Sequence, residues 1–197
     1  MLAPQVILDI HNSSNKRSDG SSRFVYPISD TVVMKLPISF EYSGGIEQSN
    51  EELLFYQNRL QPQFSHLVAN LIDYVLIPLH PFIKSPWCEY NTVPILFLER
   101  VEPLHEFITA DIGLFNLIDI LKTWYGKQLG NKYYQELLHF SRETGLSDVM
   151  SNITNWGVNA AGDIICIDCG ILHKPGSFDS RYIPSHYYSS SCSPFFP

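Results

Sequence analysis

The chain has 197 residues, 45% of them hydrophobic and 13% aromatic, a composition that folds and excludes a disordered protein. Its 13 basic and 20 acidic residues give a net charge of −7, which argues against broad binding to nucleic acid or an anionic membrane. A nucleotide pocket stays open, because it needs only one or two local cations. The length suits one domain, or two small lobes sharing a cleft.

In chain order, residues 5–10 read as a strand, and 11–22, rich in Ser, Asn and basic residues, as a loop. Two strands follow at 23–28 and 31–36, joined by a tight turn at Ser29-Asp30. A loop holding Gly44-Gly45 leads to a helix over about 50–60, where Leu53, Tyr56 and Leu60 recur at helical spacing. Residues 67–77 read mainly as strand, 78–91 as a Pro- and aromatic-rich excursion, and 93–98 as a buried strand. Leu114, Leu117, Ile118, Leu121, Trp124 and Tyr125 then form one helical stripe. Tyr134, Leu137, Leu138 and Phe140 begin another, with Gly130-Asn131 separating the two. An irregular stretch, 145–155, precedes a hairpin of 156–158 and 164–167, and the tail 171–197 has no clear helix. Strands, then helices, then a hairpin make an α+β protein with two unlike halves.

No apolar run reaches the roughly 18 residues of a membrane span, since Pro78, His80 and Pro81 interrupt the longest candidate. An early Asp9 and the lack of a basic leader make a secretory signal unexpected. Of the four cysteines, Cys166 and Cys169 form a C-x-x-C. A zinc site would want a second close pair and a redox motif would open a helix, whereas this pair ends a strand. A reducing, cytoplasmic setting is therefore expected.

The residues that carry chemistry are few. Asp168 follows Ile164-Ile165-Cys166-Ile167 directly, where a carboxylate is costly to bury unless it is paired or metal-bound. An exposed turn Asp is the alternative. Lys35, flanked by Val33, Met34 and Leu36, either points to solvent or reaches into a cleft toward a carboxylate of the next helix. Glu52 shares a helical face with Tyr56 and is slightly favoured over Glu51, which stands in the same relation to Phe55. Asp148 lies in the irregular stretch ahead of Asn152 and Asn155; a turn or cap is its plainer use. Gly20-Ser21-Ser22 could present backbone N–H groups to phosphates, or could be a hairpin turn. Tyr133, Tyr134 and Trp156 read as core.

In this order the segments resemble the protein-kinase-like superfamily, in particular the small kinase-like proteins of bacteriophages and bacteria, over roughly residues 15–172. Gly20-Ser21-Ser22-Arg23-Phe24-Val25-Tyr26 is similar to the phosphate-covering turn and second strand, and Val32-Val33-Met34-Lys35 to the strand with the phosphate-binding lysine. Glu51-Glu52-Leu53-Leu54-Phe55-Tyr56 is similar to the helix that pairs with that lysine. The run from Pro94 to Val101 resembles the strand entering the hinge, which places Glu99 and Val101 beside adenine. Asp148 to Gly157 resembles the catalytic loop, and Ile167-Asp168-Cys169-Gly170 the metal-binding turn.

The resemblance implies a compact two-lobe fold: a mainly antiparallel sheet with one helix over 1–100, and a reduced helical lobe with a catalytic-loop hairpin over 101–197. It implies ATP and Mg²⁺ between the lobes, with Asp168 and Asn155 (less so Asn152) as metal ligands and Lys35, Glu52 and Asp148 as catalytic residues. The γ-phosphoryl group would pass to a hydroxyl, on a protein in preference to a small molecule, with no nucleic-acid or membrane partner. If the chain is phage-encoded, its setting is the host cytoplasm. Leu146-Ser147 stands where protein kinases have His-Arg, Cys169 stands where Phe is common, and no Ala-Pro-Glu-like motif follows. These departures support an alternative: an inactive pseudokinase that binds or blocks a host protein through 78–90 and 187–197. An unrelated α+β protein with coincidental motifs is the third reading.

Overall fold

Alternation of side chains across strands sorts this chain into two faces, and the sorting builds the site. The computed structural model describes residues 18–19, 23–38, 43–79, 90–107, 117–146, 149–150 and 152–169. The strand expected at 5–10, most of the excursion over 78–91 and the tail 171–197 lie outside them, as do Gly20, Ser21, Ser22 and Asp148.

Strands β1 (Ser18–Asp19), β2 (Arg23–Pro27), β3 (Val32–Pro37), β4 (Leu71–Pro78) and β5 (Thr92–Glu99) form an antiparallel sheet in the order β1-β2-β3-β5-β4. Ser18–Asp19 was expected in a loop; its pairing with Val25 and Phe24 makes it the sheet's first edge. The turn at Ser29-Asp30 closes as expected, with Ile28 N–H donating to the Val32 carbonyl at 2.9 Å. Phe24, Tyr26, Met34, Leu36, Val75, Ile95 and Phe97 point to one face and form a buried cluster. Arg23, Val25 and Lys35 have the opposite parity, because Val25 lies across from Lys35 and Lys35 from Leu96.

That second face is covered by helix α1 (Ser43–Leu54), which continues through a π-helical turn, Phe55–Arg59. Leu53 packs there on Leu96 and Leu98, with Val33, Tyr56 and Leu71 around them. The helix begins seven residues before the expected start, and Gly44 and Gly45 lie within it. Local propensity disfavours two adjacent glycines in a helix, but Ile46 is fully buried against Val93 of β5, and that packing prevails.

The second half is built on α2 (Leu117–Tyr125) and α3 (Lys127–Thr144), with a small sheet of β6 (Glu102–Pro103), β7 (Trp156–Val158) and β8 (Ile164–Cys166). Its core joins Leu121, Leu137, Phe140, Trp156 and Ile164 to Phe55, Phe64 and Leu67 from the chain preceding β4. Two tyrosines tie the hairpin to the helices: Tyr133 Oη donates to the Ile164 carbonyl at 2.6 Å, and Tyr125 Oη accepts from Ile164 N–H at 2.7 Å. The α+β architecture expected from the sequence is the one observed. Among the described residues no helix is long and apolar enough to cross a membrane.

The break between α2 and α3 is Gly126, at φ 82°, and not the expected Gly130-Asn131. Gly130 lies inside α3, where a Cβ would stand 2.5 Å from the Leu121 carbonyl oxygen and 2.6 Å from Lys122 Cα. The glycine lets two backbones touch. Gly130→Ala is therefore expected to destabilise by about 1–3 kcal/mol, although helix propensity alone would favour alanine by about 1 kcal/mol. Urea unfolding of the two proteins measures the difference, and a variant as stable as the wild type would contradict this packing.

Candidate functional site

Lys35 of β3 and Glu52 of α1 meet at the turn after β8, which carries Asp168. The Lys35 ammonium donates to Glu52 Oε1 at 3.0 Å and Oε2 at 3.4 Å, and to the Ile167 carbonyl at 2.5 Å. The chain thus places the lysine one residue from Asp168. Of the two candidate glutamates, Glu52 makes the pair and is 0% exposed, while Glu51 is only half-buried. Glu52 Oε1 also accepts the Cys169 N–H at 3.2 Å, so the helix carboxylate holds the turn after β8 as well as the strand lysine.

A further cation stands among them. Arg23 of β2, 3% exposed, donates from Nη1 to Glu52 Oε2 and from Nη2 to Asp168 Oδ1. Burial alone would lower the pKa of this guanidinium; the charges of Asp168 and Glu52 and their hydrogen bonds outweigh it and hold the group above its ordinary value. Gln48, one helical turn before Glu52, donates to the same Asp168 oxygen at 3.4 Å. Two cations and two carboxylates therefore form one formally neutral cluster, closed to solvent at Glu52 and open at Asp168, which is 32% exposed. Arg23 is absent from the residues expected by sequence. Its signal was strand parity: Arg23 and Val25 share a face, and Val25 lies across from Lys35.

Asn155 is buried, and its carbonyl accepts Ile167 N–H at 2.8 Å, which sets it alongside the Asp168 turn. Asn152 is exposed, and its side-chain oxygen caps the turn that follows, accepting from Thr154 N at 3.1 Å and Thr154 Oγ1 at 2.7 Å. The Glu99 carboxylate accepts from Asn70 Nδ2 at 2.7 Å. Val101 is half-buried and sits over Gly157 of β7. Trp156 is fully buried and donates to the Val149 carbonyl at 2.6 Å. The buried Cys166 and Cys169 lie with their sulfurs 3.6 Å apart, and burial pushes the Cys169 thiol well above its ordinary value.

A magnesium ion asks for oxygen ligands at about 2.0–2.1 Å in near-octahedral array. Asp168 Oδ1 here faces a guanidinium and an amide N–H instead. Among the described residues no group of three or more His, Cys, Asp or Glu side chains is disposed to hold a metal. As arranged, Asp168 Oδ1 is taken by Arg23 and Gln48, and a divalent ion at that oxygen would have to displace the guanidinium.

No protein-family model matches the chain, and no curated protein matches it. Among solved structures it is similar to the GDP and kanamycin complex of an APH(2″) enzyme, at 11% identity and a TM-score of 0.39, over 85% of this chain and 73% of that one. It is also similar to the GDP complex of a point mutant of aminoglycoside 2′-phosphotransferase IIIa, at 12% identity and a TM-score of 0.36, over 84% and 69% of the two chains. At this identity no residue, ligand or substrate is taken from them.

Proposed function

We propose that the chain is a kinase-like protein that binds ATP by its phosphates at the Lys35–Glu52 pair and passes the γ-phosphoryl group to a hydroxyl. The observation that carries this reading is the ion pair itself: a strand lysine fixed by a buried helix carboxylate, against the carbonyl that precedes Asp168. In this reading the nucleotide lies between the halves 1–100 and 101–197, Gly20, Ser21 and Ser22 cover its phosphates, and the chain from Glu99 to Val101 borders the base. Asp148 takes the proton of the attacking hydroxyl. As the new bond forms between that oxygen and the γ-phosphorus, the bond to the β-phosphate oxygen breaks, and the electron pair leaves on ADP. Lys35 and Arg23 offset the charge that gathers there. The acceptor proposed is a protein hydroxyl.

The test separates binding from transfer. Lys35→Met is expected to weaken ATP binding at least about tenfold, whereas Asp148→Asn keeps binding and loses phosphoryl transfer. Offering a protein mixture and an aminoglycoside in parallel assigns the acceptor class. A wild-type chain that binds ATP and transfers nothing to water, protein or small molecule supports the second reading, a pseudokinase that acts as a binding module. The observation favouring that reading is the Arg23–Asp168 bond, which engages the carboxylate a kinase uses for its metal. Absence of any ATP binding would overturn both.

A further inference from the structure

We propose that Arg23 is the resident cation of this charge cluster: bound to Asp168 and Glu52 together, it holds the place a divalent metal would take at Asp168, and the nucleotide is bound without a metal. The second half of this statement rests on the nucleotide reading above; the first half does not.

Three observations carry it. Arg23 bridges two carboxylates from separate elements, Glu52 of α1 and Asp168 after β8, with one nitrogen to each. A planar guanidinium is suited to such a fork, and it keeps its charge at any physiological pH. Its position is fixed by the sheet, because Arg23 lies across from Pro37 at the end of the β2–β3 ladder, and its side chain is 3% exposed. The cation is desolvated and anchored in the protein, with no rotamer search left for a ligand to freeze. Lastly, the charges close without a metal. Lys35 and Arg23 balance Glu52 and Asp168, whereas a divalent ion at Asp168 would stand directly beside a like-charged guanidinium. Lys35 cannot fill this role, being held by Glu52 and the Ile167 carbonyl.

Two measurements test the proposal. In the first, Mn²⁺ alone is titrated into the full chain and followed by electron paramagnetic resonance. The wild type is expected to show no saturable site that depends on Asp168. Arg23→Met is expected to gain one, and adding Asp168→Asn is expected to remove it. A wild-type Mn²⁺ site abolished by Asp168→Asn would overturn the proposal, and this comparison stands even if Arg23→Met does not fold. In the second, ADP binding is compared in EDTA and in MgCl₂. Affinities within about twofold of each other are expected, and a loss of about tenfold or more in EDTA would overturn metal-free binding. If ADP binds in neither buffer, the nucleotide reading fails and metal-free binding with it, and the Mn²⁺ titration alone decides the place of Arg23.

Discussion

Replacing Glu52 with alanine is expected to destabilise the protein by about 3–5 kcal/mol, the cost of breaking a buried ion pair from one side. Glu52 touches both cations and the turn after β8. Without it Arg23 keeps only Asp168, Lys35 keeps only a carbonyl, and the Cys169 N–H loses its acceptor. For a chain of this size the loss corresponds to a melting temperature lower by roughly 10 °C. Glu52→Gln, which keeps an acceptor and removes the charge, should fall between alanine and the wild type. Glu51→Ala, on the half-buried neighbour, should cost under about 1 kcal/mol. The measurement is equilibrium urea unfolding of all four proteins. A Glu52→Ala variant within about 1 kcal/mol of the wild type would show that the cluster is not what ties β2, β3, α1 and the Asp168 turn together.

The same cluster is a poor way to gain stability, and that bears on function. Well-packed apolar residues commonly replace a buried ion pair without loss, and the apolar clusters around Leu53 and Phe55 show that this interior can be filled that way. Four charged side chains held in one place, with Asp168 still partly open to solvent, are therefore not explained by stability alone.

The residues themselves show how much of this was legible. Strands β2, β3 and β5 could be read because their apolar residues alternate or run continuously, and the Lys35–Glu52 pair because strand and helix follow in order with suitable spacing. Arg23 escaped because its role depends on register, which brings the parity of one strand opposite that of the next. The start of α1 escaped because two glycines argue locally against a helix that burial of Ile46 on Val93 enforces. The helix break went to Gly130 because glycine marks both ends and close contacts, and only the backbone angle at Gly126 tells the two apart. Asn152 and Asn155 look alike in sequence; one caps a turn in solvent, the other is buried beside Ile167.

Gly157→Val is the second substitution with a large expected effect, about 3 kcal/mol of stability or more. Gly157 pairs with Pro103 of β6 on one side and Ile165 of β8 on the other. A Cβ there would stand 2.6 Å from Val101 Cγ1, 2.7 Å from the Glu102 carbonyl oxygen and 3.2 Å from Ile167 Cγ2. Val101 can turn aside, but the Glu102 carbonyl moves only if β6 leaves β7. The displacement would reach the site from two directions. Val101 belongs to the segment proposed to border the base, and the Ile167 carbonyl holds the Lys35 ammonium. ADP affinity should therefore fall along with stability, measured by calorimetry under conditions where circular dichroism shows the variant folded. Gly157→Ala should have a smaller effect of the same kind, and Val101→Ala should relieve it only in part, since the carbonyl contact remains. Gly162→Ala is the control: its φ of 86° strains any side chain, but nothing lies within 4 Å of the added carbon, so it should cost about 1 kcal/mol and leave ADP binding alone. Wild-type stability in Gly157→Ala would mean that β6 and β7 are not packed as closely as described, and the coupling between the segment 99–101 and Lys35 would go with it.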